Sequence, residues 1–136
     1  MPPEKTAVNS FVLDASAILA AIRNEPGGEL VSSIATGALL STVNLAEVMS
    51  RLIETNMREP YARAAIDRLG PNVIAFDASL AYAAARLRPR TRHLHLSLAD
   101  RACLALALQR RLPVLTADRV WTKLKLGIEI RVVRAN

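Results

Sequence analysis

The chain has 136 residues, 51% of them hydrophobic, a single cysteine and a net charge of +6. A chain of that length forms one domain, residues 1–136, which buries roughly two-thirds of the surface its unfolded form exposes. The longest uninterrupted apolar run, Ala102 to Leu108, is far below the roughly 18 residues that a membrane span requires, so no membrane association is expected. Glu4 ahead of the first apolar segment and Asp14 inside it depart from the pattern of a secretory signal, and the expected location is the cytoplasm. Cys103, in the apolar run Ala102-Cys103-Leu104-Ala105-Leu106, reads as a small buried hydrophobe and has no partner for a disulfide. Arginine outnumbers lysine fifteen to three. A positive field draws polyanions, and the guanidinium fork pairs two-pronged with phosphate. A compositional bias that also enriches alanine would produce the same excess.

Strand-like and helix-like segments alternate along the chain. Ser10 to Leu13 reads as a buried strand, Ala15 to Arg23 as an apolar-faced helix stopped by Pro26-Gly27-Gly28, and Glu29 to Ala35 as a short second helix. A strand over Ala38 to Thr42 leads to a helix over Leu45 to Glu54, with Leu45, Val48, Met49 and Leu52 on one face. A helix over Tyr61 to Leu69 ends at Gly70-Pro71, and a strand over Val73 to Phe76 leads into the alanine-rich helix Ala78 to Leu87. The apolar faces of these two helices read as core. Arg88 to His95 reads as a polar loop, Ser97 to Arg110 as the strongest helix, Pro113 to Thr116 as a strand, Arg119 to Leu124 as a short helix and Glu129 to Val133 as a last strand. The first eight or so residues and the last three read as disordered ends. Strands alternating with helices predict a three-layer α/β/α sandwich around a mainly parallel sheet.

In such sheets ligands bind beyond the carboxyl ends of the strands. Asp14 directly follows the first strand, Glu47 comes shortly after the second, and Asp118 follows Val114-Leu115-Thr116 by two residues. Asp100 opens the long helix, facing the same end in the usual crossover. Each acid alone has a simpler explanation. Asn44-Leu45-Ala46-Glu47 and Ser97-Leu98-Ala99-Asp100 fit capping boxes, and Asp14 and Asp118 suit helix N-termini. The conjunction reverses that preference, because four carboxylates on one rim repel unless a cation joins them. Oxygen donors with no His or Cys among them select Mg2+ or Mn2+ over zinc. Asp77, opening Asp77-Ala78-Ser79, reads as an N-cap and is left out of the set.

The same residues carry a family resemblance. Val12-Leu13-Asp14-Ala15-Ser16-Ala17, Asn44-Leu45-Ala46-Glu47, Leu96-Ser97-Leu98-Ala99-Asp100 and Leu115-Thr116-Ala117-Asp118-Arg119-Val120-Trp121 resemble the four motif blocks of PIN-domain nucleases, in order and spacing. The length and the single domain are most similar to the VapC toxins of bacterial type II toxin-antitoxin pairs. The resemblance implies a PIN-like fold and a Mg2+- or Mn2+-dependent endoribonuclease, commonly a homodimer, held inactive by a VapB-type antitoxin. It implies that Asp14, Asp100 and Asp118 ligate metal, that Glu47 ligates or orients the attacking water, and that Ser16, Asn44 and Thr116 support this shell. Where many relatives have a second aspartate two residues after the last motif acid, this chain has Val120. That implies either a weakly held second metal or a single metal before substrate arrives. Hydrolysis by a metal-activated water leaves 5′-phosphate and 3′-hydroxyl ends.

Arg86, Arg88, Arg90 and Arg92 alternate with Leu87, Pro89 and Thr91 ahead of the Asp100 helix and are the expected RNA contacts. Arg101 and Arg119 adjoin motif acids and either neutralise them or touch phosphate. His93 and His95 have no partners at ligand spacing and read as bystanders, while Trp121 reads as a packing residue. Two phosphoryl-transfer patterns also keep an aspartate after the first strand. The haloacid-dehalogenase pattern wants an acid or threonine where Ser16 stands, and a lysine after a later strand; the receiver pattern wants an acid pair. Neither is met. A PIN-like nuclease in RNA processing without a toxin role, a non-catalytic RNA-binding module and a metal-independent ribonuclease using His93 or His95 are the remaining alternatives.

Overall fold

The computed structural model describes residues 10–133, so the ends expected to be disordered lie outside the described residues. Among the described residues, five strands and seven α-helices follow the expected alternation: β1 (Val12–Leu13), α1 (Ala15–Ile22), α2 (Gly28–Ile34), β2 (Leu39–Ser41), α3 (Thr42–Glu54), α4 (Glu59–Leu69), β3 (Asn72–Ile74), α5 (Ala78–Arg86), α6 (Arg88–Thr91), α7 (Leu98–Arg110), β4 (Val114–Thr116) and β5 (Ile130–Val132). Two 3-10 turns, Arg92–Leu94 and Arg119–Lys123, complete the order. No helix among the described residues is long and apolar enough to cross a membrane.

The strands form one sheet in the order β3-β2-β1-β4-β5, every pairing parallel. The three central strands, β2, β1 and β4, are buried on both faces, and their side chains alternate between two cores, while the edge strands β3 and β5 are partly exposed. Leu13, Leu40 and Leu115 point into the core built with α1 to α4, whereas Val12, Leu39 and Val114 point into the one built with α5, α7 and Trp121. Helices therefore cover both faces, and the three-layer sandwich is realised. The chain moves from β1 outward through β2 to β3, then returns to add β4 and β5 on the other side. That reversal places a topological switch point between β1 and β4, where a crevice opens beyond the carboxyl ends.

Several local expectations change. Helix α3 starts at Thr42 rather than Leu45, because Ser41 is the N-cap and its Oγ accepts from the Val43 amide at 3.2 Å. Asn44 consequently lies inside the helix, and the capping box read over Asn44 to Glu47 does not exist. The capping box over Ser97 and Asp100 does form, through Ser97 Oγ and the Asp100 carboxylate. Asp77 is the N-cap of α5, accepting from the Leu80 amide at 3.0 Å. The segment Arg88 to His95 is wound into α6 and a 3-10 turn rather than a loop. Leu87, Thr91 and Leu96 are buried along it, Thr91 Oγ1 donates to the Leu87 carbonyl at 2.9 Å, and Pro89 sits in a first turn that needs no donor from it.

Helices α1 and α2 pack backbone against backbone at Gly28. A Cβ on Gly28 would stand 2.3 Å from the Ala20 carbonyl oxygen, a backbone atom that cannot swing aside. Gly28→Ala is predicted to lower stability by about 1–3 kcal/mol, measured as a lower urea midpoint at unchanged slope.

Candidate active site

Asp14 and Thr116 meet at the switch point. The Asp14 amide donates to the Leu115 carbonyl at 3.0 Å, extending the β1–β4 pairing to the strand ends. Although Asp14 occupies the N-cap position of α1, its side chain makes no capping hydrogen bond. Its Oδ2 instead accepts from Ser16 Oγ and from Thr116 Oγ1, both at 2.6 Å. Those two hydroxyls stand 3.2 Å apart, and they accept in turn from the Ala117 amide (2.9 Å) and the Asp118 amide (3.0 Å). Asp14 thus stands at the helix N-terminus as expected but does not cap it with its side chain, and Ser16 and Thr116 hold a carboxylate that is only 4% exposed.

The other acids reach the same region from separate elements. Glu47 is one turn into α3 and Asp100 is in the first turn of α7. Asn44, fully buried, donates from Nδ2 to the Ala99 carbonyl at 3.1 Å, joining α3 to α7 one residue before Asp100. Glu47 forms an open ion pair with Arg51 at 3.6 Å, an exposed contact worth little, while its Oε1 is buried with no hydrogen-bond partner. Asp118 follows β4, is exposed, and caps the 3-10 turn by accepting from the Val120 amide at 3.0 Å. Asp100 and Asp118 therefore do serve as caps, whatever else they do.

Electrostatics join the four. Burial raises the Asp14 pKa to about 6 against the stabilising hydroxyls of Ser16 and Thr116, and the charges of Asp100 and Glu47 raise it further. The carboxyl of Glu47 is raised by burial and then by Asp100, against Arg51 and Asn44. Asp100 is raised by burial, held down by Ser97, and raised again by Asp118. Each acid is thus in the field of at least one other. Among the described residues, no three His, Cys, Asp or Glu side chains are placed so that they could hold one ion. As placed, the acids form a repelling cluster. Its donor set, oxygen throughout, with one buried unpartnered carboxylate oxygen, fits a hard divalent cation in kind.

Two further residues read from the sequence lie near the cluster. Arg101 is buried; its Nη1 donates to the Ala84 carbonyl at 3.0 Å, and its charge lowers Asp100, so it neutralises rather than faces solvent. Cys103, one turn after Asp100, is fully buried as expected, and burial followed by the charges of Asp14, Asp100 and Glu47 pushes its thiol well up. Only its spacing of three from Asp100 could have placed it beneath the acids. Arg86, Arg88, Arg90, Arg92 and Arg119 are exposed, as are His93 and His95, and Trp121 is fully buried in the core of α5 and α7.

The sequence profile of the PIN domain matches residues 11–126, and the chain belongs to the PIN domain family, a family of nucleases that generally use divalent metal ions. The fold is similar to that of a chain in the DNA-bound VapBC complex of Salmonella typhimurium (22% identity, TM-score 0.68, covering 89% of this chain and 96% of that one). It is also similar to chains in VapBC2 of Rickettsia felis bound to a promoter DNA fragment (15%, 0.67, 89% and 96%) and in a toxin-antitoxin complex from Klebsiella pneumoniae (19%, 0.67, 88% and 99%). At these identities the likeness establishes a VapC-like fold. A search of curated proteins gives no match.

Because the native Asp14 carboxyl binds its proton more tightly than its ordinary value of 3.8, the metal-free fold is most stable below that value and loses stability as pH rises through about 6. A shift of this size corresponds to about 3 kcal/mol. Metal-free protein is therefore predicted to melt several degrees higher at pH 5 than at pH 7.5, with Asp14→Asn reducing the difference, as read by thermal denaturation in EDTA.

Proposed function

We propose that this chain is a divalent-metal-dependent endoribonuclease acting as the toxin of a type II toxin-antitoxin pair. The observation that supports the reading is the shared field of acids from separate parts of the chain: the charges of Asp100 and Glu47 raise Asp14, that of Asp100 raises Glu47, and that of Asp118 raises Asp100. In this reading Asp14, Asp100 and Asp118 hold Mg2+ or Mn2+, and Glu47 orients the attacking water. When bound, the cation supplies the charge that polarises a phosphate and lowers the pKa of water.

The chain's own residues do the rest. Ser16 and Thr116 fix Asp14 through one of its oxygens. Asn44 sets α3 against α7 and so sets Glu47 beside Asp100. The buried Glu47 Oε1, free of any donor, is the atom suited to take the proton of the attacking water. Because water rather than a 2′-hydroxyl attacks, the products carry 5′-phosphate and 3′-hydroxyl ends.

The net charge of +6 and the exposed Arg86, Arg88, Arg90 and Arg92 support RNA as the substrate. The likeness to chains of VapBC complexes supports a VapB-type antitoxin as partner. A homodimer and a cytoplasmic setting complete the proposal on family resemblance.

Purified protein is predicted to cut total RNA with Mg2+ or Mn2+ and not in excess EDTA. Asp100→Asn lowers the rate by roughly a hundredfold or more, and expression of the parent chain slows growth. Cutting that persists in EDTA and leaves 2′,3′-cyclic phosphate would point to a histidine mechanism. A chain inert under every condition, with no effect on growth, ends the nuclease-toxin reading.

A further inference from the structure

Among the described residues, two charged side chains are buried, Asp14 at 4% exposure and Arg101 at 8%. They answer burial differently. Asp14 is held by two hydroxyls, each at 2.6 Å. Arg101 has a single hydrogen bond among the described residues, from Nη1 to the Ala84 carbonyl at 3.0 Å, and its Nε is buried with no partner. The ion pairs found there involve Arg51, Arg63 and Arg131, and none involves Arg101. A buried cation in this state is unfavourable unless a nearby negative field offsets its loss of water.

A strut between α5 and α7 is the simpler role, and the bond to Ala84 makes one. A strut does not call for a guanidinium. A glutamine amide would supply the same single donor with no charge to bury and no Nε to strand.

The negative field comes from the residue before it. Burial raises the Asp100 carboxyl, Ser97 opposes that, Asp118 adds to it and Arg101 lowers it. Asp100 is also the acid whose charge reaches both Asp14 and Glu47. A cation acting on Asp100 therefore acts where the repulsion of the cluster is shared. Arginine, unlike lysine, keeps its charge when buried, so this counter-charge is permanent.

Such a charge has opposite effects on the two states of the site. Without metal it offsets the repulsion among the acids, and with a divalent ion bound it is one more positive charge beside that ion. Coupling of this kind is reciprocal, so what Arg101 adds to the metal-free cluster it takes from metal affinity.

We infer that Arg101 is a positioning residue that serves as the site's own counter-cation, holding the acids together before the divalent ion binds and loosening that ion once bound. The inference rests on the divalent-metal reading and deepens it, by making a fixed charge of the chain set how tightly the ion is held.

The test uses full-length protein stripped with EDTA and dialysed, with Mn2+ alone as the probe, titrated by calorimetry. Arg101→Gln, which keeps an N–H donor and loses the charge, is expected to bind Mn2+ roughly tenfold more tightly than the parent. Arg101→Lys, which keeps the charge, stays within about threefold of it. Arg119→Gln removes an exposed charge beside Asp118, and its effect is about threefold or less and is lost at high salt. A second measurement, thermal denaturation in EDTA, needs no metal. There Arg101→Gln lowers the melting temperature of the parent, and lowers that of Asp100→Asn by about half as much or less, any change in the Ala84 bond being common to both. An Arg101→Gln chain that folds only together with Asp100→Asn is the same result in extreme form. The inference is overturned if Arg101→Gln binds Mn2+ no tighter than the parent, if Arg101→Lys or Arg119→Gln tightens it as much, if melting falls equally in both backgrounds, or if Arg101→Gln folds in neither. Parent protein that binds Mn2+ with this pattern and never cuts RNA removes the nuclease reading and leaves the inference standing, whereas parent protein that binds no Mn2+ removes both.

Discussion

The clasp on Asp14 is the interaction on which the rest of the site depends. A carboxylate this deeply buried is unfavourable, and only two short hydroxyl bonds to one oxygen, from Ser16 and Thr116, offset the cost. Those hydroxyls come from α1 and β4, so the same bonds that hold the carboxylate close the sheet at its switch point. Thr116 Oγ1 and Ser16 Oγ then accept from the amides that lead to Asp118, which fixes where the chain leaves β4. One buried charge thereby organises the strand ends, the helix start and the position of a second acid.

The remaining acids are set by helix packing. Asn44 on α3 grips the backbone of α7, and Arg101 on α7 grips the backbone of α5. Three helices are thus joined side chain to carbonyl around Asp100. Such polar struts within apolar packing are directional, and they hold Glu47 and Asp100 near each other against the repulsion that raises both. Arg101 also carries an Nε without a partner, so the strut is incompletely satisfied and its position follows from the site more than from stability.

Most of the fold was legible because strand and helix periods differ and because Gly, Pro and Ser mark the joins. The alternation of Val12 with Leu13 and of Val114 with Leu115 between two cores is the pattern of a sheet buried on both faces. What misled was local. Asn44 has a capping residue's chemistry, yet Ser41 stands three residues earlier and captures the helix start. Arg88 to His95 has a loop's polarity, but Leu87, Thr91 and Leu96 spaced along it are buried and wind it into helix. Of the acids, the strand-end position of Asp14 and Asp118 was visible from order alone. The partner of Arg101 was not, because it is a backbone carbonyl seventeen residues away and no pattern of side chains announces it.

The order of the strands in space has a consequence for how the site comes into being. β1 is central and lacks its second neighbour until β4 arrives, yet β4 is encoded after every α-helix among the described residues. During synthesis from the N-terminus, Asp14, Glu47 and Asp100 all emerge before Thr116 exists to clasp the first of them. Only when β4 slots in beside β1 is the clasp on Asp14 complete, and a chain cut short before residue 116 carries three of the four acids with Ser16 alone to hold Asp14.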